Sequence, residues 1–487
     1  MHGNQMMKKT ISFKTLSLVA ALLAVPGLSH AASLLEVYQQ ALQSDPLIHE
    51  AEARRLAAEE LAPQARGLLF PQIEANAGWE QGDSSGNRLI FNQDTLQLES
   101  VPFESDSTSK RWDVGLRQTL FRWDQIVGLK QAGKLVAKAE ADYEFAQQDL
   151  MIRVATRYFE VLGAEDVLTS IHADRLAIAR QLEQAKQRFE VGLIAITDVQ
   201  ESQAAYDQSV ADEIGAKRSL ATAREFLREI TGEYVASLSA PMEELPMRSP
   251  NPADESSWID MALTQNLQLV SSRLSEEVSR QEISFRRTGH YPTIDLVVGR
   301  AYNEGTGQTD LLFSTGPQLS QADSDSTADT IGLQFRLPIF SGGRTRSRVR
   351  EAVYLHRASQ QQLQRVSRET ERATRDAYLG VLAEISRVKA LNQAVQSSRT
   401  ALEATQAGFD VGTRTIVDVL NSQRALYAAI TNYYRSRYAY LGNVLLLKQA
   451  AGSLQVQDLE EIDRWLTDRR PPEEVIAEEE SKAAAGT

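Results

Sequence analysis

The sequence predicts an α+β membrane protein: long antiparallel coiled-coil helices, with four β-strands per chain contributed to a shared barrel, built as a tandem internal repeat. Three observations carry this expectation. FEVGLIAITDVQ at 189–200 returns as FDVGTRTIVDVL at 409–420, with six of twelve positions identical at an offset of 220 residues. Two stretches, Trp123 to Phe189 and Arg344 to Phe409, contain no proline. Four short segments alternate apolar and polar residues, the period of a strand with one wet face.

A second pair fixes the register of the repeat, because RGLLFPQIE at 66–74 answers RTGHYPTID at 287–295, with Pro71 matching Pro292. A period this long is not that of a solenoid, so two copies of a large unit complete one object. The expected division is a signal at 1–31, a first repeat at 32–231, an equatorial linker at 232–256, a second repeat at 257–452, an equatorial segment at 453–470 and a disordered acidic tail at 471–487.

At the amino terminus Lys8, Lys9 and Lys14 precede an apolar run from Leu16 to Val25 and the small-residue site Ser29-His30-Ala31. This is the pattern of a secretory signal cleaved before Ala32, and the apolar run is roughly half of the about 20 residues that span a bilayer. Removing 1–31 removes three lysines and no acid, so the formal charge moves from -13 to -16. An acidic surface argues against nucleic acid as a partner. With no cysteine, neither disulfides nor thiolate metal sites support the fold.

At about 1.5 Å per residue each proline-free stretch would make a rod on the order of 100 Å long. The seam Ala132, Val136, Ala139, Tyr143, Ala146, Leu150 steps by four and three, the mark of coiled-coil packing. Shorter partner helices are expected near 34–66, 198–231, 257–288 and 415–451.

Between helices, Ile331, Leu333, Phe335, Leu337 and Ile339 alternate with polar or small residues and Pro338, as do Ile73 to Trp79, Trp112 to Leu116 and Ile294 to Val298. Strands are therefore expected at about 71–81, 110–122, 292–303 and 330–341, joined in pairs by polar loops at 81–109 and 304–329. Strands of 9 to 11 residues, apolar outside and polar inside, are the pattern of an outer-membrane barrel. Phe70, Phe121, Trp123, Tyr291 and Phe340 lie where an interfacial aromatic girdle would sit. Four strands leave two open edges that lipid cannot satisfy, so a membrane reading requires a multimer. Eight strands from two chains and twelve from three remain equally open at this point.

QLEQAKQRFEVGLIAITDVQ at 181–200, GTRTIVDVL at 412–420, HYPTIDL at 290–296 and LPIFSGG at 337–343 resemble the outer membrane efflux protein family, from about Ser33 to Leu459. The resemblance implies a homotrimer with a shared 12-stranded barrel in the outer membrane and a helical barrel crossing the periplasm. It implies a duct for type I secretion and efflux. Its partners would be a periplasmic adaptor (membrane fusion protein), an inner-membrane ABC or proton-driven transporter, and outer-membrane lipid. No cofactor is implied. A periplasmic coiled-coil adaptor or a structural scaffold is the rival reading, to which one hairpin would be expected rather than two strand pairs bracketed by long rods.

Nothing in the sequence points to catalysis. His2, His30, His49, His172, His290 and His356 show no paired metal spacing, Gly342-Gly343 lacks the rest of a phosphate loop, and no Gly-x-Ser-x-Gly elbow occurs. A duct needs a gate instead. Gly192 and Gly412 mark reversals at the far end of the rods from the strands, and Asp198 and Asp418 are repeat equivalents. In a trimer each would form a ring of three carboxylates that attracts cations; singly, each would serve as a first-turn acid stabilised by its helix dipole. The resemblance implies that Asp198, with its neighbour Thr197, Gln181 and Arg414 hold the entrance closed, Arg414 bonding Asp198 in its own chain and Gln181 of a neighbour. Two positions depart from the family pattern, with Phe409 in place of Tyr and Asn421 in place of a second Asp. A basic run, Arg344, Arg346, Arg348 and Arg350, opens the second rod where cations oppose the helix dipole, and suggests lipid headgroups nearby.

Overall fold

The computed structural model describes residues 31–92, 96–313 and 316–485; most of the segment read as a signal lies outside them. Two helices dominate: α4 (Trp123–Glu190, 68 residues) and α8 (Arg344–Asp410, 67 residues). Each begins where a strand pair ends and turns at a Val-Gly into a 36-residue partner, α5 (Ile196–Thr231) after α4 and α9 (Ile416–Ala451) after α8. The upper part of each rod is covered by short helices. These are α1 (Leu34–Ser44), α2 (Pro46–Glu59) and α3 (Leu61–Gly67) in the first half, and α6 (Glu255–Gln265) and α7 (Leu267–Arg287) in the second. Pro46 at the first position of α2 separates it from α1, as a missing N–H dictates. Among the described residues no helix is long and apolar enough to cross a membrane.

The predicted seam of α4 faces inward: Ala132 and Leu150 are buried and Val136, Ala139, Tyr143 and Ala146 half-buried. Lower down, Ile178, Leu182 and Ala185 continue the same four-and-three stepping.

Four strands form one antiparallel sheet in the order β1 (Gln72–Asn92), β2 (Gln97–Phe121), β4 (Thr293–Phe313), β5 (Gly316–Arg336), with β1 and β5 at its edges. The register pairs Ile73 with Leu116, Leu116 with Val298 and Val298 with Ile331. Residues opposite each other point the same way, so all four apolar sets share one face. Trp112 stacks on Tyr302 at 6.1 Å in that face, and a bidentate pair from Arg300 to Asp329 (2.8 and 3.0 Å) interrupts it.

Three expectations fail here. The segments read as polar loops, 81–109 and 304–329, are continuations of the strands, which reach 21 or 25 residues; only the hairpin tips remain. Backbone pairing needs no apolar side chain, so the alternation that betrays a strand stops before the strand does. At the other end β5 stops at Arg336 rather than 341, since Pro338 cannot donate to a ladder. The tail read as disordered is a helix, α11 (Pro472–Ala485), begun by Pro472 and two glutamates and anchored by buried Ile476.

The main core lies at mid-height. Leu34, Leu150, Leu162, Leu220, Leu441, Leu445 and Leu459 are almost fully buried there. Residues 240–241 (β3) pair with 466–467 (β6), and α10 (Val456–Asp463) offers Asp463 to the Leu34 and Leu35 amides. The equatorial segments at 232–256 and 453–470 thus meet beside α4. Asp166, buried, accepts from the Tyr438 hydroxyl at 2.5 Å and from Arg469, and Arg224 bridges Glu165 to Glu473 of α11.

Candidate functional site

The two Val-Gly reversals have one backbone form. Gly192 and Gly412 take φ of 76° and 80°, the left-handed region that glycine enters without a Cβ clash. The Leu193 amide donates to Arg188 O, and the Thr413 amide to Gly408 O, each at 2.8 Å. Gly408 is needed for another reason: a Cβ there would come 2.8 Å from Arg414 Cγ, so the glycine leaves room for the Arg414 stem to lie against its own hairpin.

Their helix starts differ. Thr415 caps α9: its hydroxyl accepts from the Asp418 amide at 3.2 Å, while the Asp418 carboxylate accepts from the Thr415 amide at 3.0 Å. These bonds, the backbone one foremost, hold the Asp418 carboxyl below the usual range. At the equivalent place α5 has Ala195, which cannot cap. Asp198 is half-buried, and its carboxylate makes no hydrogen bond or ion pair among the described residues. Of the two equivalent acids, Asp418 performs the local capping task and Asp198 does not.

The implied bond between Arg414 and Asp198 is not formed within the chain, because Arg414 is packed over Gly408 and exposed. Thr197 and Asn421 are also exposed. Gln181 donates to Gln406 of the same chain at 3.1 Å. That bond is one rung of a ladder the sequence reading missed. Asp174 accepts from Gln423 of α9 at 2.7 Å, and Arg188 donates to Asp410 of α8 at 2.9 Å. Positions 174, 181 and 188 are spaced by seven, one stripe along α4, and that heptad spacing of polar residues was the available signal. Burial raises the Asp174 carboxyl, with the Gln423 bond working against it.

Beneath the ladder lies a small apolar core of Ile178, Ala205, Phe409, Ile416, Val419 and Leu420, drawn from all four helices. The Arg188 guanidinium sits 4.8 Å above the Phe409 ring. Phe409, the departure from Tyr, is therefore buried packing under a cation rather than a lost hydrogen bond alone. The two hairpins meet through exchangeable polar contacts and few apolar ones, an arrangement suited to separation. Among the described residues no group of three His, Cys, Asp or Glu side chains could hold a metal ion.

Rods of paired helices, reversed at one end by glycine turns and continuous at the other with a sheet of one apolar face, define the class of outer-membrane channel proteins. The sequence model of the Outer membrane efflux protein family matches residues 37–233 and 258–453, and the chain belongs to that family. It is 38% identical to the outer membrane protein TolC of Vibrio cholerae over 447 residues, 92% of this chain and 97% of that protein. Identity to TolC of Escherichia coli is 36%, covering 89% and 85%, and to the alkaline protease secretion protein AprF of Pseudomonas aeruginosa 27%, covering 88% and 86%. Among solved structures it shares its fold with VceC of Vibrio cholerae (TM-score 0.65, 20% identity, 86% of this chain and 96% of that one). The same holds for the CmeC channel of Campylobacter jejuni (TM-score 0.67, 15% identity, 89% and 90%). The chain is an outer-membrane exit duct extending into the periplasm; these relatives do not favour the adaptor or scaffold reading.

Proposed function

We propose that three copies of this chain form the duct, closing a shared 12-stranded barrel in the outer membrane and a helical barrel below it, with the entrance gated at the Val-Gly turns. The observation that carries this is the sheet: β1 and β5 are open edges, and the apolar face they flank is exposed, with Ile331, Leu333 and Phe335 each above 60%. In lipid, unpaired edge amides and carbonyls cost several kcal/mol each, and edge-to-edge closure of copies removes them. Strands of 21 residues at about 3.4 Å each reach about 70 Å, so the apolar band of roughly 25 Å occupies only their helix-proximal part and the polar remainder extends beyond it.

The working partners are a periplasmic adaptor and an inner-membrane transporter, and the cargo is type I secretion and efflux substrates, as the name of AprF suggests for a protein of this kind. The chain divides at 1–31, 32–231, 232–256, 257–452 and 453–470, as signal, first repeat, equatorial linker, second repeat and equatorial segment. At the entrance, Asp198 without a partner in its own chain and exposed Arg414 are free to bond between copies, and the Asp418 carboxylates, held ionised by their caps, ring the axis.

Planar-bilayer recording of the reconstituted protein tests the reading. Arg414→Ala should raise conductance, Asp418→Ala should nearly abolish block by multivalent cations, and Asn421→Asp should tighten it by adding three charges one turn away. Block insensitive to residue 418 together with conductance indifferent to residue 414 would put the constriction elsewhere.

A further inference from the structure

Four arginines from four separate elements border one cavity of about 260 Å³ where the sheet meets the helices. Arg122 immediately precedes α4, Arg286 lies in the last turn of α7, Arg336 ends β5, and Arg348 lies one turn into α8. Asp124 is the single carboxylate in the lining, and Tyr291 adds a phenol. We propose that this cavity is an oxyanion site that takes a phosphate group.

The charges are not balanced from within. Arg286 pairs with Glu282 at 2.6 Å, and Arg122 approaches Asp124 only to 3.9 Å while its buried Nε has no hydrogen-bond partner. The exposed side chains of Arg336 and Arg348 make no hydrogen bond or ion pair among the described residues. Guanidinium groups held around one cavity repel each other unless an anion sits among them, and their planar forks match the oxygens of a phosphate two at a time. The backbone places two of these exposed arginines at the cavity. Arg336 is in register with Thr293, and the turn carrying Arg286 is pressed onto α8 so closely that a Cβ on Gly289 would meet Thr345 Cγ2 at 2.9 Å. Two long helices, α4 and α8, begin here without side-chain caps, adding their amide dipoles to the same region.

Two sources carry this chemistry: the headgroup of an anionic phospholipid and a free phosphate in the aqueous space. The lipid source rests on the membrane placement proposed above, and Phe340 at 87% and Ile339 at 92% exposure stand beside the cavity at the level a headgroup would occupy. Of the basic run, Arg348 alone lines the cavity; Arg346 and Arg350 fall about 200° around the helix from the face of Arg344 and Arg348.

The test uses the full assembled protein, stripped of lipid in an uncharged detergent, with phosphatidylglycerol, phosphatidylcholine and inorganic phosphate as probes. Native mass spectrometry should show phosphatidylglycerol retained in preference to phosphatidylcholine, with affinity reduced about tenfold in Arg336→Gln/Arg348→Gln and unchanged in Arg346→Gln/Arg350→Gln. Displacement of the lipid by millimolar phosphate, or a phosphate-dependent rise in Tm without lipid, assigns the free ion; retention against phosphate assigns the headgroup. On the unaltered protein, either bound probe should protect Arg336 and Arg348 from phenylglyoxal. Equal binding by the double variant, or absence of protection, overturns the proposal and leaves an acid from a neighbouring copy as the partner. Conductance through the tip is read separately, so failure here does not bear on the gate.

Discussion

The two hairpin ends share six of twelve residues around the same glycine reversal and do different work. Around the second turn Phe409, Ile416, Val419 and Leu420 are buried, and Thr415 and Asp418 cap α9. Around the first, Phe189 (41%), Val191 (70%), Leu193 (73%) and Ile196 (49%) are exposed, and Ala195 leaves α5 uncapped. The second hairpin therefore covers more of its apolar side chains within its own chain, with Val411 at 76% the counterpart of exposed Val191, whereas the first leaves Phe189, Leu193 and Ile196 open as well. The two similar segments share the reversal and differ in what surrounds it.

The largest break in this comparison comes from the equivalent phenylalanines. Phe409→Ala should cost about 3 kcal/mol by emptying the tip core, and Phe189→Ala less than about 1 kcal/mol in the same assay. Hydrogen exchange at the α8–α9 turn for the first and the α4–α5 turn for the second measures each cost, and equal costs would erase the distinction.

Next comes the join between hairpins. Arg188 and Asp410 are 31% and 51% exposed, so the pair contributes about 0.5 kcal/mol in each copy. Summed over the three copies proposed above this is about 1.5 kcal/mol, roughly tenfold in the ratio of open to closed entrances. Arg188→Gln or Asp410→Asn should shift single-channel openings by that factor, and the exchange Arg188→Asp/Asp410→Arg should restore most of it. No recovery in the exchanged pair would mean that Arg188 acts through the Phe409 ring alone.

Exchanging the caps gives a smaller effect. Thr415→Ala should destabilise the first turn of α9 by about 1 kcal/mol, while Ala195→Thr should strengthen α5 by a similar or smaller amount. Amide exchange at residues 416–419 and 196–199 follows each separately.

Least in size is a difference in pH response. The Asp418 carboxyl lies below its ordinary value of 3.8, so its stabilising effect is complete above 3.8 and fades as pH falls through the lower folded value. The Asp174 carboxyl is raised above 3.8, so its favourable contribution is complete below that value and is lost as pH rises through the raised one. Acid should therefore fray the α9 cap while relieving the burial penalty of the Asp174 carboxylate, at the expense of its bond from Gln423. Asp174→Asn should remove the second response and leave the first, as read by hydrogen exchange between pH 3 and pH 6.

The sequence by itself determined the periodic and the local. The rods read as Trp123 to Phe189 and Arg344 to Phe409 run one residue further in each case, because absent prolines and four-and-three stepping depend only on neighbours along the chain. The apolar halves of the strands and the glycines of the turns were legible for the same reason. Tertiary structure decided whatever depends on a partner distant in sequence. The polar halves of the strands exist through backbone pairing across the sheet, which no side-chain pattern records. Ile476 finds a core that tail composition does not reveal. Asp198 and Asp418 stand at the same place in the repeat, yet Thr415 gives one of them a cap and Ala195 denies it to the other. Arg188 meets Asp410 across 222 residues, because two rods about 100 Å long bring their ends to the same point.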